Sequence, residues 1–289
     1  MKRVASFLLI LMIAACGRKS EPGSKIITVS IAPYKYFVQA IAGDNFNINV
    51  MVPAGSNPHI YEPFPEQVSK LRRSSAYISN GYLGFEMTWL DRFYEMNKNM
   101  KRLSLGESID PIESDHHEGE NHVETADPHY WVSPLCAMKM AASMKDFIIE
   151  LDPDNMEQYE KNFKILVERI SEVDIRAREL SSSGEKKSFM IYHPNLAYLA
   201  RDYGLEEVSV EYDGKEPDPA RLIALIDRAK KERLSVILVQ REYDTKNARA
   251  VADEVGASVV VIDPLSEDWY SSTNEIIDIL KGSFEGILN

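Results

Sequence analysis

The chain has 289 residues, with 45 acidic and 33 basic side chains, a formal charge of −12, six His and two Cys. An acidic balance of this size lacks the basic footprint of a nucleic-acid binder, so no nucleic acid is expected as a partner. Two Cys exclude a disulfide-stapled scaffold and a four-cysteine zinc site. At about 100–200 residues per domain the length suggests two domains, and 44% apolar residues suffice for their cores.

Lys2 and Arg3 precede an apolar run from Val4 to Ala15 that stops at Cys16. A charged start, a short apolar stretch and small residues at its end describe an export signal over residues 1–15. The run falls short of the ~20 residues needed to span a bilayer. Ile13-Ala14-Ala15-Cys16-Gly17 resembles a bacterial lipobox, which implies cleavage before Cys16 and lipid on that Cys. The expectation is an exported protein held on a membrane by its lipid, facing the periplasm or the cell exterior. Residues 16–24 read as a tether, and Cys136 as a buried thiol.

From Lys25 onward, β-branched runs alternate with amphipathic stretches. Strands are predicted over 26–31, 46–52 and 76–79, with helices over 34–42, 65–74 and 85–97 between or after them. Residues 107–127 are polar, acidic and without hydrophobic period, and read as a mobile loop carrying His116, His117 and His122. A helix is predicted over 134–151. The longest periodic segment runs from Asp154 to about Leu180, with apolar positions stepping by three and four. At 1.5 Å per residue it is about 40 Å long, either a backbone joining two lobes or a long packing helix of one domain. Strands over 188–192, 207–212, 235–240 and 258–262 then alternate with helices over 194–203, 218–232, 245–255 and 271–286. This is an α/β pattern, which favours parallel sheets covered by helices. No sequence repeat of fixed period links the halves.

The other three His stand near predicted strand ends. His59 follows the strand ending at Val52, His193 directly follows 188–192, and Asp263 takes the same place after 258–262. In open α/β sheets, ligands bind beyond the carboxyl ends of the strands. His129, between the polar loop and the next helix, completes a group of four. Three imidazoles and one carboxylate make a tetrahedral set for Zn2+, and such a set suits zinc, copper, iron or nickel better than Mg2+ or Ca2+. The spacing matches no short metal motif. Glu62, three residues beyond His59, reads as a turn residue, an acid orienting a ligand, or a general base. Tyr192, Trp131 and Trp269 read as lobe core or cleft wall.

VPAGSNPHIYEPFP, ADPHYWVSP, MIYHPNLAYLARDYGL and VIDPL resemble, in this order, the four metal-ligand motifs of the zinc/manganese-binding solute-binding proteins of bacterial ABC transporters. The resemblance covers the chain from Ile26 to its final helix. It implies two α/β lobes, each with a mostly parallel sheet flanked by helices, joined by one long rigid helix with the metal in the cleft between them. It divides the chain into a first lobe over 25–151, a linking helix over 152–183 and a second lobe over 184–289. Carried over by motif, the metal ligands are His59, His129, His193 and Asp263. A histidine at position 193, where manganese-type members often have a carboxylate, favours Zn2+, with Mn2+ as the second candidate. Gln240 and Ser133 depart from the acids common at their positions, and local effects are expected of them.

The function so implied is capture of Zn2+ outside the cell membrane and delivery to the permease of an ABC importer, by a monomer that is not an enzyme. His116, His117 and His122, among acids, are read either as collectors of zinc or as part of a solvated loop. The competing classes are a zinc-dependent hydrolase and a lipid-anchored adhesin. Catalytic zinc keeps an open water position, whereas a fourth protein ligand is available here, and there is no HExxH helix or nucleophile elbow. No motif bears on adhesion.

Overall fold

The computed structural model describes residues 25–113, 126–182, 184, 186–211 and 217–288. The first sheet is built from β1 (Ile26–Ile31), β2 (Asn47–Val52), β3 (Ala76–Ser79) and β4 (Lys101–Ser104), in the order β2-β1-β3-β4 with every pair parallel. The central β1 is buried from Ile27 to Ile31, as expected of a parallel strand covered on both faces. Its two polar residues are satisfied inside the core: Thr28 Oγ1 meets Ser74 Oγ at 2.6 Å, and Ser30 donates to the Glu86 carboxylate. Helices α1 (Ala32–Ala42), α2 (Pro65–Leu71) and α3 (Gly84–Met96) connect these strands.

The second sheet contains β5 (Ser188–Ile191), β6 (Glu206–Ser209), β7 (Val236–Gln240) and β8 (Ser258–Ile262), ordered β6-β5-β7-β8 and again parallel. Its helices are α6 (Ala197–Asp202), α7 (Pro219–Glu232), α8 (Thr245–Val255) and α9 (Trp269–Phe284), numbered after the two central helices below. Asp218 and Asp244 cap α7 and α8 by accepting from Arg221 N and Lys246 N. Each half thus winds second strand, first, third, fourth, a structural repeat with no counterpart in sequence period.

Between the halves lie α4 (Pro134–Leu151), a 3₁₀ turn at Pro153–Asn155, and α5 (Met156–Glu179). The 24 residues of α5 bury Tyr159, Leu166, Ile170, Val173 and Ala177, one stripe at helical spacing. This stripe packs α5 against α4, against α1 of the first half and against α9 of the second. One continuous core therefore includes Ile27, Phe37, Leu166, Leu238, Trp269 and Ile277. A smaller core lies on the other face of the second sheet, around Met190, Tyr192, Val208, Ile237 and Val239. Along β5 and β7, successive residues go to opposite cores, the two-residue period of a strand.

Several boundaries differ from the expectation. The edge strand β4, KRLS, is absent from the expectation because Lys101 and Arg102, charged and exposed on successive positions, leave no apolar alternation, and such charges are a common way of protecting a sheet edge. The loop expected over 107–127 begins inside a 3₁₀ turn at Leu105–Ser108, and Glu113 pairs with Ala126 in an isolated antiparallel bridge. His116, His117 and His122 lie outside the described residues, as does Cys16. Helix α6 starts at Ala197 rather than Pro194, because the Leu196 amide donates to Glu207 Oε2 at 2.6 Å instead of entering a helix. Among the described residues no helix is long and apolar enough to cross a membrane.

Candidate metal centre

His59 sits in the loop after β2, where its amide donates to Asn57 Oδ1 at 2.9 Å. Its carbonyl is pressed against the start of α3, so closely that a Cβ at Gly84 would come within 2.6 Å of it. His129 precedes the 3₁₀ turn Tyr130–Val132. Asp127 Oδ1 accepts from both the backbone amide of His129 at 2.7 Å and its ring Nδ1 at 2.8 Å. His193 lies two residues past β5. Its Nδ1 meets Glu211 Oε2 at 2.9 Å, its ring stacks on Tyr243 with centroids 4.8 Å apart, and its carbonyl accepts from Gln240 Nε2.

The three imidazoles come together across the two halves. Ring centroids are 5.1 Å apart for His59 and His129, 5.1 Å for His59 and His193, and 5.4 Å for His129 and His193. Their nearest ring nitrogens all lie within 4.8 Å of one another, with the Nε2 atoms of His59 and His129 at 3.2 Å. His129 and His193 are buried and His59 half-buried. A carboxylate on Nδ1 holds the proton there and leaves the Nε2 lone pair free to bind a cation, the arrangement that orients metal-binding histidines. His193 Nε2 is buried without a hydrogen-bond partner, and a metal would satisfy it. Burial holds the His193 imidazole below the ordinary histidine range, against the opposing pull of Glu211, so the neutral, ligating form is favoured.

Asp263, one residue past β8, is not in the group of nitrogens within 4.8 Å. Its Oδ2 accepts from Arg241 Nη1 at 2.7 Å, while its Oδ1 is buried without a partner. Glu62 is exposed. Among the described residues, Asp127 and Glu211 hydrogen-bond to the rings of His129 and His193, and neither is among the site residues expected from the sequence. Asp127 was detectable as an Asp two residues before a His, and Glu211 as an acid just past a strand next to β5. Glu242 was also missed. Its Oε2 is buried and unpartnered, and burial, aided by the charge of Asp263, pushes the carboxyl up to about 7. Gln240 and Ser133 have the local effects expected: Gln240 fixes the His193 backbone, while Ser133 caps α4 and donates to Asp202. The Cys136 thiol is buried and pushed up to about 11, chiefly by desolvation.

Fold and cluster together define a two-lobed α/β protein in which imidazoles from both lobes converge on one point beyond the carboxyl ends of the sheets. Residues 27–283 match the model of the ZnuA family, described as the zinc-uptake complex component A, periplasmic. The chain belongs to that family. It is 29% identical to the zinc-binding lipoprotein AdcA of Streptococcus pneumoniae, over 94% of this chain and 57% of that protein. The chain therefore spans little more than half of that relative. It is 29% identical to the high-affinity zinc uptake system protein ZnuA of Bacillus subtilis, over 96% of this chain and 93% of that one. Among solved structures, a zinc-bound deletion mutant of ZnuA superposes with a TM-score of 0.82 at 35% identity, over 90% of this chain and 98% of its own.

Proposed function

We propose that this protein captures Zn2+ through His59, His129 and His193, with Asp263 as the fourth group, and passes it to the membrane permease of an ABC importer. The observation that carries the reading is the convergence of three imidazole nitrogens within 4.8 Å, one of them a buried Nε2 without a partner. Family membership and the zinc-named relatives support the same cargo. An imidazole-rich set suits zinc, and Asp263 Oδ1 supplies the oxygen that would let Mn2+ compete.

The chain's own groups do three things here. Asp127 and Glu211 orient two of the rings, burial keeps His193 neutral, and Asp263 offers an oxygen from the second lobe. Four protein groups around one ion favour holding and delivery over chemistry at an open position.

The remaining parts of the reading follow the sequence. Cys16 carries the lipid that keeps the protein, as a monomer, outside the cytoplasmic membrane, in keeping with the lipoprotein name of the pneumococcal relative. Lobes over 25–151 and 184–289 flank the helical segment 152–183. His116, His117 and His122 collect zinc weakly for the cleft. Deleting residues 115–124 should then abolish a second, weaker zinc event in calorimetry, and an unchanged isotherm would remove that role.

The decisive experiment is elemental analysis of protein purified without added metal, followed by competition between Zn2+ and Mn2+. Co-purified zinc that manganese does not displace supports the reading. Preferential loading with manganese overturns the zinc assignment.

A further inference from the structure

Asp263 is engaged on one side only. Arg241 Nη1 lies 2.7 Å from Oδ2, whereas Oδ1 is buried with no hydrogen-bond partner. The pairing is imposed by sheet register rather than by loop conformation. Gln240 is the register partner of Ile262 in the parallel pair β7–β8, and the Arg241 amide donates to the Ile262 carbonyl at 3.0 Å. Arg241 and Asp263 are therefore the first residues past two adjacent strand ends. The Arg241 side chain is 64% exposed and that of Asp263 only 13%, so the guanidinium approaches the carboxylate from the solvent side.

A carboxylate that shares its charge with a guanidinium is a weaker donor to a cation than a free one. Donor type then decides which ion suffers. Imidazoles suit zinc, whereas manganese depends more on carboxylate oxygen. In a site of three imidazoles and one carboxylate, weakening the carboxylate donor costs manganese more than zinc.

We infer that Arg241 is a selectivity-determining residue: by holding Oδ2 of Asp263 it leaves that carboxylate one free oxygen, Oδ1, keeps the site imidazole-dominated and favours zinc over manganese. The inference rests on the metal-binding reading above. It assigns a role to a residue outside the set of metal-binding groups, and that role is separable from binding as such.

The test is direct titration and competition with Zn2+ and Mn2+ on the full chain and on R241Q, R241K, D263N and the R241Q/D263N double variant. R241Q frees the carboxylate charge and should raise manganese affinity about ten-fold, similar in size but opposite in sign to the usual loss when a ligand's outer partner is removed, and zinc affinity less. The zinc-to-manganese ratio therefore narrows. R241K restores the charge and should keep the ratio near that of the unaltered chain. In the D263N background, R241Q should change neither affinity, because its route of action is gone. An unaltered ratio in R241Q, or the same shift with and without Asp263, overturns the inference while leaving zinc binding intact. An unaltered chain that takes up neither ion overturns the metal-binding reading, and this inference with it.

Discussion

The indole Nε1 of Trp131 donates to the carbonyl of Pro264 at 2.8 Å. It ties the segment that carries His129 to the segment that carries Asp263, two residues from the first and one from the second. The Trp269 indole returns the link by donating to the carbonyl of Trp131 at 2.7 Å, and Trp269 is wedged against Phe37 of α1 with ring centroids 5.1 Å apart. The two lobes thus meet in a buried, hydrogen-bonded interface beside the cluster. These contacts fix part of the site's geometry.

Replacing Trp131 with Phe keeps an apolar ring but removes the donor to Pro264. The loss of one buried hydrogen bond, plus the unsatisfied carbonyl, should cost about 1–3 kcal/mol. Thermal unfolding in the absence of metal reads this term. Zinc affinity should fall about ten-fold as well, since the His129 and Asp263 segments lose their common tie. A variant with lowered stability and unchanged affinity would confine Trp131 to a packing role.

Asp127 and Glu211 each hold one ring by its Nδ1. Asp127→Asn and Glu211→Gln preserve shape and remove the charge that keeps the proton on that nitrogen. Each should weaken zinc binding by about 10–100-fold in a competition assay with a chromogenic chelator. His193→Ala should have a larger effect, because it removes a proposed ligand. Should both acid variants bind as tightly as the unaltered chain, the rings are oriented by packing alone.

Metal and protons compete for the same imidazole nitrogens, so zinc affinity should fall as the pH drops from about 7.5 to about 5.5. The sign for His193 follows from its burial. Its titration is moved below the ordinary histidine range, so it remains neutral further into acid than a solvated imidazole. Glu211→Gln removes the group that pulls this titration upward, so the His193 NMR signal should titrate at still lower pH. Isothermal titration across this range checks the first statement, and an affinity flat with pH would contradict the three-imidazole site.

Glu86 supplies a stability signal away from the cluster. Its buried carboxyl accepts from Ser30 Oγ and from the amides of Asn80 at 2.8 Å and Gly81 at 2.6 Å. Burial outweighs these donors and pushes it from 4.5 up to about 7. Between those values the native chain holds more protons at this site than the unfolded one. The associated stability is present below about pH 4.5 and is lost as the pH rises through about 7. The term is on the order of 3 kcal/mol. Glu86→Gln should be less stable than the unaltered chain at low pH, since it loses an acceptor, but should vary less between about pH 5 and about pH 8. Urea unfolding at the two pH values checks this, and equal slopes with pH for the two proteins would exclude Glu86 as the source.

Much of the α/β order was readable because it is local. β1, β3 and β8 coincide with their predicted spans, and the α5 stripe matches the buried positions Tyr159, Leu166, Ile170, Val173 and Ala177. Hydrophobic period reports the face that a strand or helix buries, and that face is set within a few residues. The same logic failed at β4, whose place in the sheet depends on the neighbouring β3 rather than on a period of its own.

By itself the sequence determined which residues stand at strand ends, among them His193 and Asp263, and with them a donor set suited to a soft or borderline cation. Only the tertiary structure decided which of these meet. His59, His129 and His193 converge because α5 and the Trp131–Pro264 contact bring two separately wound sheets into one core. Asp127 and Glu211 became ring partners, and Arg241 came to face Asp263, through contacts that depend on how strands and lobes are placed side by side. Periodicity is fixed by neighbours along the chain, whereas a cluster assembled from three distant segments is fixed by packing across it.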